Sequence, residues 1–448
     1  MVEPANAHSA AKRCLVIRPS FRGTPSSGPR SDEARLAEAV GLCRAIALDV
    51  VQADVANVSA LRPSALFGAG TVERYAELVK AQTDIPISVV VVDAALTPVQ
   101  QRNLEKAWSV KVIDRTGLIL EIFGERARTA EGEMQVELAA LTYQKSRLVR
   151  SWTHLERQRG GFGFIGGPGE SQIETDRRLI RERIARLKRQ LEQVRRTRAL
   201  HRQARKRVPY PVVALVGYTN AGKSTLFNRL TRADVMAKDL LFATLDPTMR
   251  ALELPSGRSV ILSDTVGFIS ELPHELVEAF RATLEEVTAA DLVVHVRDAS
   301  HPESEQQKQD VDDVLRSLGL GQMVDAGGVI EVLNKIDLLG EDDRRTLSRR
   351  AERAVGQSVP LSAASGERCD KLIAVIDARL ATALQVIDVW LTPADGAGLA
   401  WLYRHGEVIE RADEDEAIHV KVRLSESHAA RFARREDDAL AGVVRVPR

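Results

Sequence analysis

The sequence predicts an α/β protein in three parts, with a long helical hairpin between the first two. Three observations carry this. Strand-like and helix-like segments alternate over residues 13–123 and again over 211–384, the pattern of parallel sheets covered by helices. Residues 130–207 lose that alternation and read as two long helices. The strand VVALVG then runs directly into GYTNAGKS (Gly217 to Ser224), a glycine loop of the form G-x-x-x-x-G-K-[ST] that opens a helix. The expected architecture is an N-terminal α/β domain (1–129), an antiparallel helical hairpin with a glycine-rich tip (130–207), a P-loop domain around a doubly wound, mostly parallel sheet (208–384), and a small α+β C-terminal domain (385–448). A length of 448 residues fits about three domains.

In the first part, CLVIRP, ALFGAG, ISVVVVDA and VKVIDRT read as short buried strands. DEARLAEAVGLCRAIAL, TVERYAELVKAQ and TPVQQRNLEKAW read as the helices between them. The hairpin helices are expected near Gly132–Arg157 and Ser171–Lys206. In the second, Ile180, Ile184, Leu187, Leu191 and Val194 recur at heptad spacing, so that face packs along the partner helix. Val208-Pro-Tyr-Pro ends it, because proline cannot continue a helix. The third part reads as VVALVG, a helix, RALELP, SVILSD, a helix, LVVHVRD, a helix, GVIEVLNK, a helix, SVPLSA and a last helix. The tail has strand-like VIDVWL and IHVKVRL around LAWLYRHG.

Composition narrows the class. The three cysteines, Cys14, Cys43 and Cys369, form no C-x-x-C pair, which points to a reducing setting and away from a disulfide frame or zinc ribbon. No apolar run reaches the ~18 residues of a membrane span. MVEPANAHSAAKR lacks a signal-peptide core, so a cytoplasmic protein is expected. The net charge is +1, but Arg177 to Arg207 hold fourteen Lys/Arg against two acids, a local +12. Such asymmetry implies a polyanionic partner. RNA phosphate is favoured over a membrane surface, because that stretch has no Trp, Phe or Tyr to bury in an interface.

The loop Gly217-Tyr218-Thr219-Asn220-Ala221-Gly222-Lys223-Ser224, with Thr225 after it, is read as a phosphate cradle. Its backbone N–H groups and the helix N-terminus face the phosphates. Lys223 reaches the β- and γ-phosphates, and Ser224 binds Mg²⁺. In SDTVG, Asp264 is placed to hold Mg²⁺ through water, followed by Thr265, Val266 and Gly267, whose N–H meets the γ-phosphate. In NKID (Asn334, Lys335, Ile336, Asp337), the Asp337 carboxylate accepts from N1–H and N2–H₂ of guanine, which adenine cannot offer, so GTP and GDP are the expected ligands. SAA (Ser362, Ala363, Ala364) can present an N–H to guanine O6. FATLDPT (Phe242, Ala243, Thr244, Leu245, Asp246 and on to Thr248) lies where the first switch belongs, and Thr244, with Thr248 as alternative, is assigned to complete the Mg²⁺ shell. GFGFIG (Gly161 to Gly166) fits G-x-G-x-x-G but has no preceding strand, so a dinucleotide site is rejected.

These segments carry a resemblance. GYTNAGKSTLFN, FATLDPT, DTVGFI, HVRDASHP and NKID resemble the GTPase domain of the HflX family of translational GTPases. GGPGESQIETDRRLIRERI resembles that family's signature upstream of this domain, and IDRTGLILEIFGERARTAEGEMQVELAAL is similar to it as well. The resemblance covers nearly the whole chain. It implies a ribosome-associated GTPase that binds the large subunit and its RNA and splits stalled ribosomes, and family members have been described as binding ATP through the N-terminal region. Two stretches depart from the family pattern. Phe164 and Ile165 stand at the hairpin tip where relatives carry threonine and a basic residue, and Gly68-Ala-Gly-Thr replaces a more basic turn.

The reaction expected is in-line attack of water on the γ-phosphate, with Mg²⁺, Lys223, Thr244 and Gly267 as the catalytic groups. Phe268 follows DTVG where many switch GTPases place a water-orienting glutamine, so hydrolysis by the chain alone is expected to be slow. A monomer is expected, with no DNA partner and no inserted membrane segment, although part of the population can associate with the inner face of the membrane. The alternative is a GTP-dependent regulatory switch docking on an acidic protein or membrane without RNA. An ATP-driven RNA-unwinding enzyme would need a second nucleotide site that the sequence does not show.

Overall fold

A computed structural model describes residues 12–21, 31–82, 85–158, 168–205, 210–233, 242, 248–270, 284, 286–353, 356–382, 384–414, 417–425, 429, 432–433 and 444–445. They form three sheets.

The first has the order β2-β1-β3-β4 and is parallel throughout: β1 (Arg13–Phe21), β2 (Asp49–Val58), β3 (Val89–Val92) and β4 (Lys111–Asp114). Helices α1 (Asp32–Ala45), α2 (Ala69–Ala81) and α3 (Pro98–Trp108) connect the strands. Two expectations need correction. ALFGAG is not a strand: the Leu66 N–H bonds back to Arg62 O at 3.0 Å, and Ala69 and Gly70 already begin α2. The second strand is DVVQADVANV, an edge strand buried along little of its length, so it lacks the apolar run that marks its neighbours. A further helix, α4 (Arg115–Arg126), follows β4 without a loop and starts where the Asp114 side chain accepts from Gly117 N–H at 2.8 Å.

Helices α5 (Ala130–Gln158) and α6 (Pro168–Arg205) pack along one another. Leu187 and Leu191 of the heptad face are buried, and Arg183 clasps Glu137 at 2.6 Å. The glycine-rich tip lies outside the described residues.

The second sheet has the order β10-β9-β8-β5-β7-β6: β5 (Val212–Val216), β6 (Thr248–Glu253), β7 (Ser259–Asp264), β8 (Leu292–Asp298), β9 (Ile330–Asn334) and β10 (Ser358–Pro360). Only the β6–β7 pair is antiparallel. Helix α7 (Lys223–Thr231) follows the glycine loop. The C-terminal sheet is antiparallel, β12-β13-β11-β14, with β11 (Leu384–Leu391), β12 (Glu407–Asp413), β13 (Ile418–Ser425) and β14 (Val444–Arg445).

One apolar core joins the first two sheets. Val16, Val91, Ile119, Phe123 and Ala139 from the N-terminal part share it with Val216, Phe242, Val266, Phe268 and Ile269. The opposite faces have separate cores, around Trp108 in the first sheet and Phe227 in the second.

Candidate functional site

The glycine loop leaves β5 at the centre of the second sheet and turns into α7. Gly222 has φ +92°, and a Cβ there would lie 2.2 Å from the Asn334 amide nitrogen, so only glycine fits. The Lys223 ammonium, 6% exposed, donates to Gly217 O at 3.1 Å and Tyr218 O at 2.9 Å. Burial lowers its pKa to about 8 against the opposing pull of Asp264. The Ser224 hydroxyl donates to Asp264 Oδ2 at 2.7 Å. A hydroxyl and a buried carboxylate held this close are hard oxygen donors of the kind Mg²⁺ takes, with phosphate oxygens and water completing its shell. Among the described residues no group of three or more His, Cys, Asp or Glu could hold a metal by itself.

The motif from β9 meets the loop directly. Asn334 donates through Nδ2 to Ala221 O at 2.8 Å and accepts from Ala363 N–H at 2.9 Å, tying NKID, SAA and the phosphate loop together. Lys335 has φ +64° and pairs with Asp298 at 2.7 Å, Ile336 is buried, and Asp337 opens to solvent. Ser362 is buried and braces its own turn by accepting from Ser365 N–H at 3.1 Å. Arg229 of α7, not foreseen from the sequence, donates to Ala363 O at 3.2 Å and to Ala364 O, and so fixes SAA. Neither backbone acceptor leaves a signal in the text.

Several named side chains face elsewhere. Thr265 donates its hydroxyl to Leu215 O at 2.6 Å, and Val266 lies in the shared core, so both offer a ligand only backbone. Phe242 is 2% exposed and stands edge-to-face on Phe123 of α4, with centroids 4.7 Å apart. It was expected at the nucleotide, but its ring is fixed in the core. Ala243, Thr244, Leu245 and Asp246 lie outside the described residues. Thr248, the alternative to Thr244, begins β6. The Tyr218 hydroxyl meets Glu38 of α1 and accepts from Ser270 N–H at 2.8 Å, a connection the motifs do not announce.

Along α6, Arg181, Arg186, Lys188, Arg189 and Arg196 are exposed. The two acids of this stretch are matched within the helix, Arg178 with Glu182 at 3.8 Å and Arg196 with Glu192 at 3.3 Å. No described helix is long and apolar enough to cross a membrane.

A parallel sheet with a lysine-bearing glycine loop, a Ser–Asp pair and an Asn-Lys-x-Asp corner defines a P-loop GTPase, a GTP-hydrolysing enzyme that binds guanine nucleotide. Family comparison agrees along the chain. Residues 33–124 match the N-terminal region of GTP-binding GTPases, 126–205 their middle region, 212–335 a 50S ribosome-binding GTPase domain and 346–440 the HflX C-terminal domain. The chain is 52% identical over 409 residues to GTPase HflX of Magnetococcus marinus, covering 91% of each. It is 43% identical over 395 residues to GTPase HflX of Escherichia coli, covering 88% of this chain and 90% of that protein. A crystal structure of a GTP-binding protein from Sulfolobus solfataricus in complex with GDP aligns over 82% of this chain and 98% of that one, at 23% identity and a TM-score of 0.42. The chain belongs to the HflX family.

Proposed function

We propose that the protein uses GTP hydrolysis to time its binding to the large ribosomal subunit, where it dissociates or rescues stalled ribosomes. The observation that carries this reading is the exposed basic face of α6, placed in the same chain as the GTPase site. A run of arginines with few acids neutralises RNA phosphates and releases their counterions. The match of residues 212–335 to a 50S ribosome-binding GTPase domain supports the same partner.

Within the site, the loop N–H groups and Lys223 hold the phosphates, Asp337 reads N1–H and N2–H₂ of guanine, and O6 takes its hydrogen bond from Ala364 N–H, since Ala363 N–H already serves Asn334. Ser224, Asp264 and Thr244 would hold Mg²⁺, which neutralises charge on the β- and γ-oxygens when bound. Gly267 N–H and the Lys223 ammonium stabilise the charge that develops on the transferred phosphoryl group.

The test is co-sedimentation of the full chain with purified large subunits against anionic liposomes. Binding to subunits is expected to fall on the order of 10³-fold between 50 and 200 mM salt if about six phosphates are neutralised. Reversing charge at Arg181, Arg186, Arg189 and Arg196 should weaken it without changing GTP affinity. Binding to liposomes alone, or a salt-independent complex, would replace this reading with the regulatory switch that docks without RNA.

A further inference from the structure

The carboxyl ends of β1, β3 and β4 carry a chain of buried charges. Asp93 takes Arg18 at 3.1 Å and Arg115 at 2.7 Å. Arg115 also pairs with Glu38, and its Nη2 crosses to the second sheet, donating to Ser270 O at 2.9 Å and Ser270 Oγ at 3.2 Å. Glu38 accepts from Ser270 Oγ at 3.0 Å and from the Tyr218 hydroxyl. One carboxylate of the N-terminal part therefore touches both the residue after the loop's first glycine and the third residue after Gly267.

A second set of bonds closes the same gap from inside. Thr219 N–H donates to Phe268 O at 2.7 Å, and Phe268 N–H donates to Gly217 O at 3.1 Å. Gly267 is thereby drawn over the loop. A Cβ on it would lie 2.9 Å from Thr219 Cα and 3.0 Å from Lys223 Nζ. A γ-phosphate contacting both the Lys223 ammonium and the Gly267 N–H needs about 2.8 Å for each charge-assisted bond, plus its own width. The present spacing leaves no room for it. The α- and β-phosphates make no such demand, because the loop's own N–H groups cradle them.

We propose that Glu38, held in place by Arg115, is a specificity-determining residue that favours GDP over GTP. It acts as a positioning residue, by tying Ser270 and Tyr218 together and so keeping Gly267 over the loop. Admitting a γ-phosphate requires Gly267 to lift, which pulls Ser270 away from Glu38 and Arg115. By linkage, the γ-phosphate weakens this docking by the same factor that docking weakens GTP binding. The inference rests on reading the loop and SDTVG as the phosphate site.

The test is equilibrium titration of GDP and of the β,γ-imido analogue of GTP into the full chain, as wild type, Glu38→Gln and Ser270→Ala. The two variants weaken the contact from its two sides, and the shared apolar core should keep both folded. Expected is a GDP affinity within about twofold of wild type and an analogue affinity raised roughly fivefold or more, the low end of usual coupling. If Glu38→Gln fails to fold, Ser270→Ala carries the comparison alone. Equal shifts for both nucleotides, or none, would overturn the proposal by showing a purely structural contact. The wild type tests the phosphate site separately: if it bound neither nucleotide, that reading and the coupling would fall together. Binding of both with unaltered selectivity in the variants removes only the coupling.

Discussion

The two parallel sheets offer the same architectural opportunity and fill it differently. In the first, connections leave β1 toward β2 on one side and toward β3 on the other; in the second, β5 stands between β7 and β8 in the same way. Such a switch point opens a crevice at the carboxyl ends of the strands, where doubly wound folds bind ligands. After β5 that place holds glycines and backbone N–H groups. After β1 and β3 it holds Arg18, Asp93 and Arg115, whose charges satisfy one another and reach Ser270 of the other sheet. The difference teaches that topology supplies a crevice and side-chain chemistry decides its use. Glycine leaves room for phosphate, while paired charges make a rigid face for docking.

Two substitutions should break the ligand-binding member of the pair and leave the docking member standing. The largest effect is expected for Asp337→Asn. Two hydrogen bonds from guanine to a charged acceptor contribute about 1.5–3 kcal/mol each, so the preference for GTP over xanthosine triphosphate should fall by roughly 10² or more, and can reverse. Competition binding with both nucleotides measures it, and an unchanged preference would refute the role given to NKID. Lys223→Ala comes next. Loss of one preorganised charge on the transferring phosphoryl group should cost about 10²–10³ in the hydrolysis step. Single-turnover hydrolysis with large subunits present is the measurement, and a melting temperature close to wild type would place the loss in chemistry rather than folding.

The docking member is broken by Arg115→Met. This leaves Glu38 without its guanidinium partner and Asp93 with Arg18 alone. Removing one partner of a buried charge network costs about 3–5 kcal/mol, and the contact to Ser270 goes with it. Denaturant unfolding should show the cost, whereas GDP affinity should change little because no loop residue is touched. Equal losses of stability and GDP affinity would mean that the two crevices are not separable.

How much of this was legible in the sequence follows the same division. The phosphate loop, SDTVG, NKID and SAA are each local. A strand, a turn and a few residue types at fixed spacing place them, and Asn334 meeting Ala221 and Ala363 is the contact such motifs imply. The parallel strands β1 and β3 were readable because strands buried on both faces are apolar throughout. The edge strand β2 was not, because half of it faces water. The docking network was invisible for a different reason. Arg115 and Ser270 are separated by 155 positions, and Glu38 and Ser270 by 232. Nothing in the text near Glu38 distinguishes it from the exposed glutamates of other amphipathic helices. Phe268 shows both sides. The lack of a glutamine was plain, but the place of the ring in a core shared with Phe123 needed the fold.

The smallest expected effect separates the two crevices by pH. In the docking crevice the guanidinium of Arg115 is pushed further toward its charged form by Asp93 and Glu38, against the penalty of burial, so it does not titrate near neutrality. Lys223 differs, because burial brings its pKa down to about 8. A folded-state value below the model value of 10.5 means that the unfolded chain holds more protons between the two, so this group's contribution to stability rises with pH across that window. Nucleotide binding works in the opposite sense. Phosphates favour the ammonium and raise its pKa, so below pH 8 the lysine is already charged and binding moves no proton through it. Above pH 8 binding takes one up, and GDP affinity should fall by as much as about tenfold per pH unit. Titrations at several values from pH 7 to 9.5 measure this, in wild type and in Lys223→Ala. The variant keeps the guanine's own N1 titration, so the difference between the two curves isolates the lysine. Parallel curves would show that Lys223 stays charged throughout, and that the phosphate crevice is wetter than its burial implies.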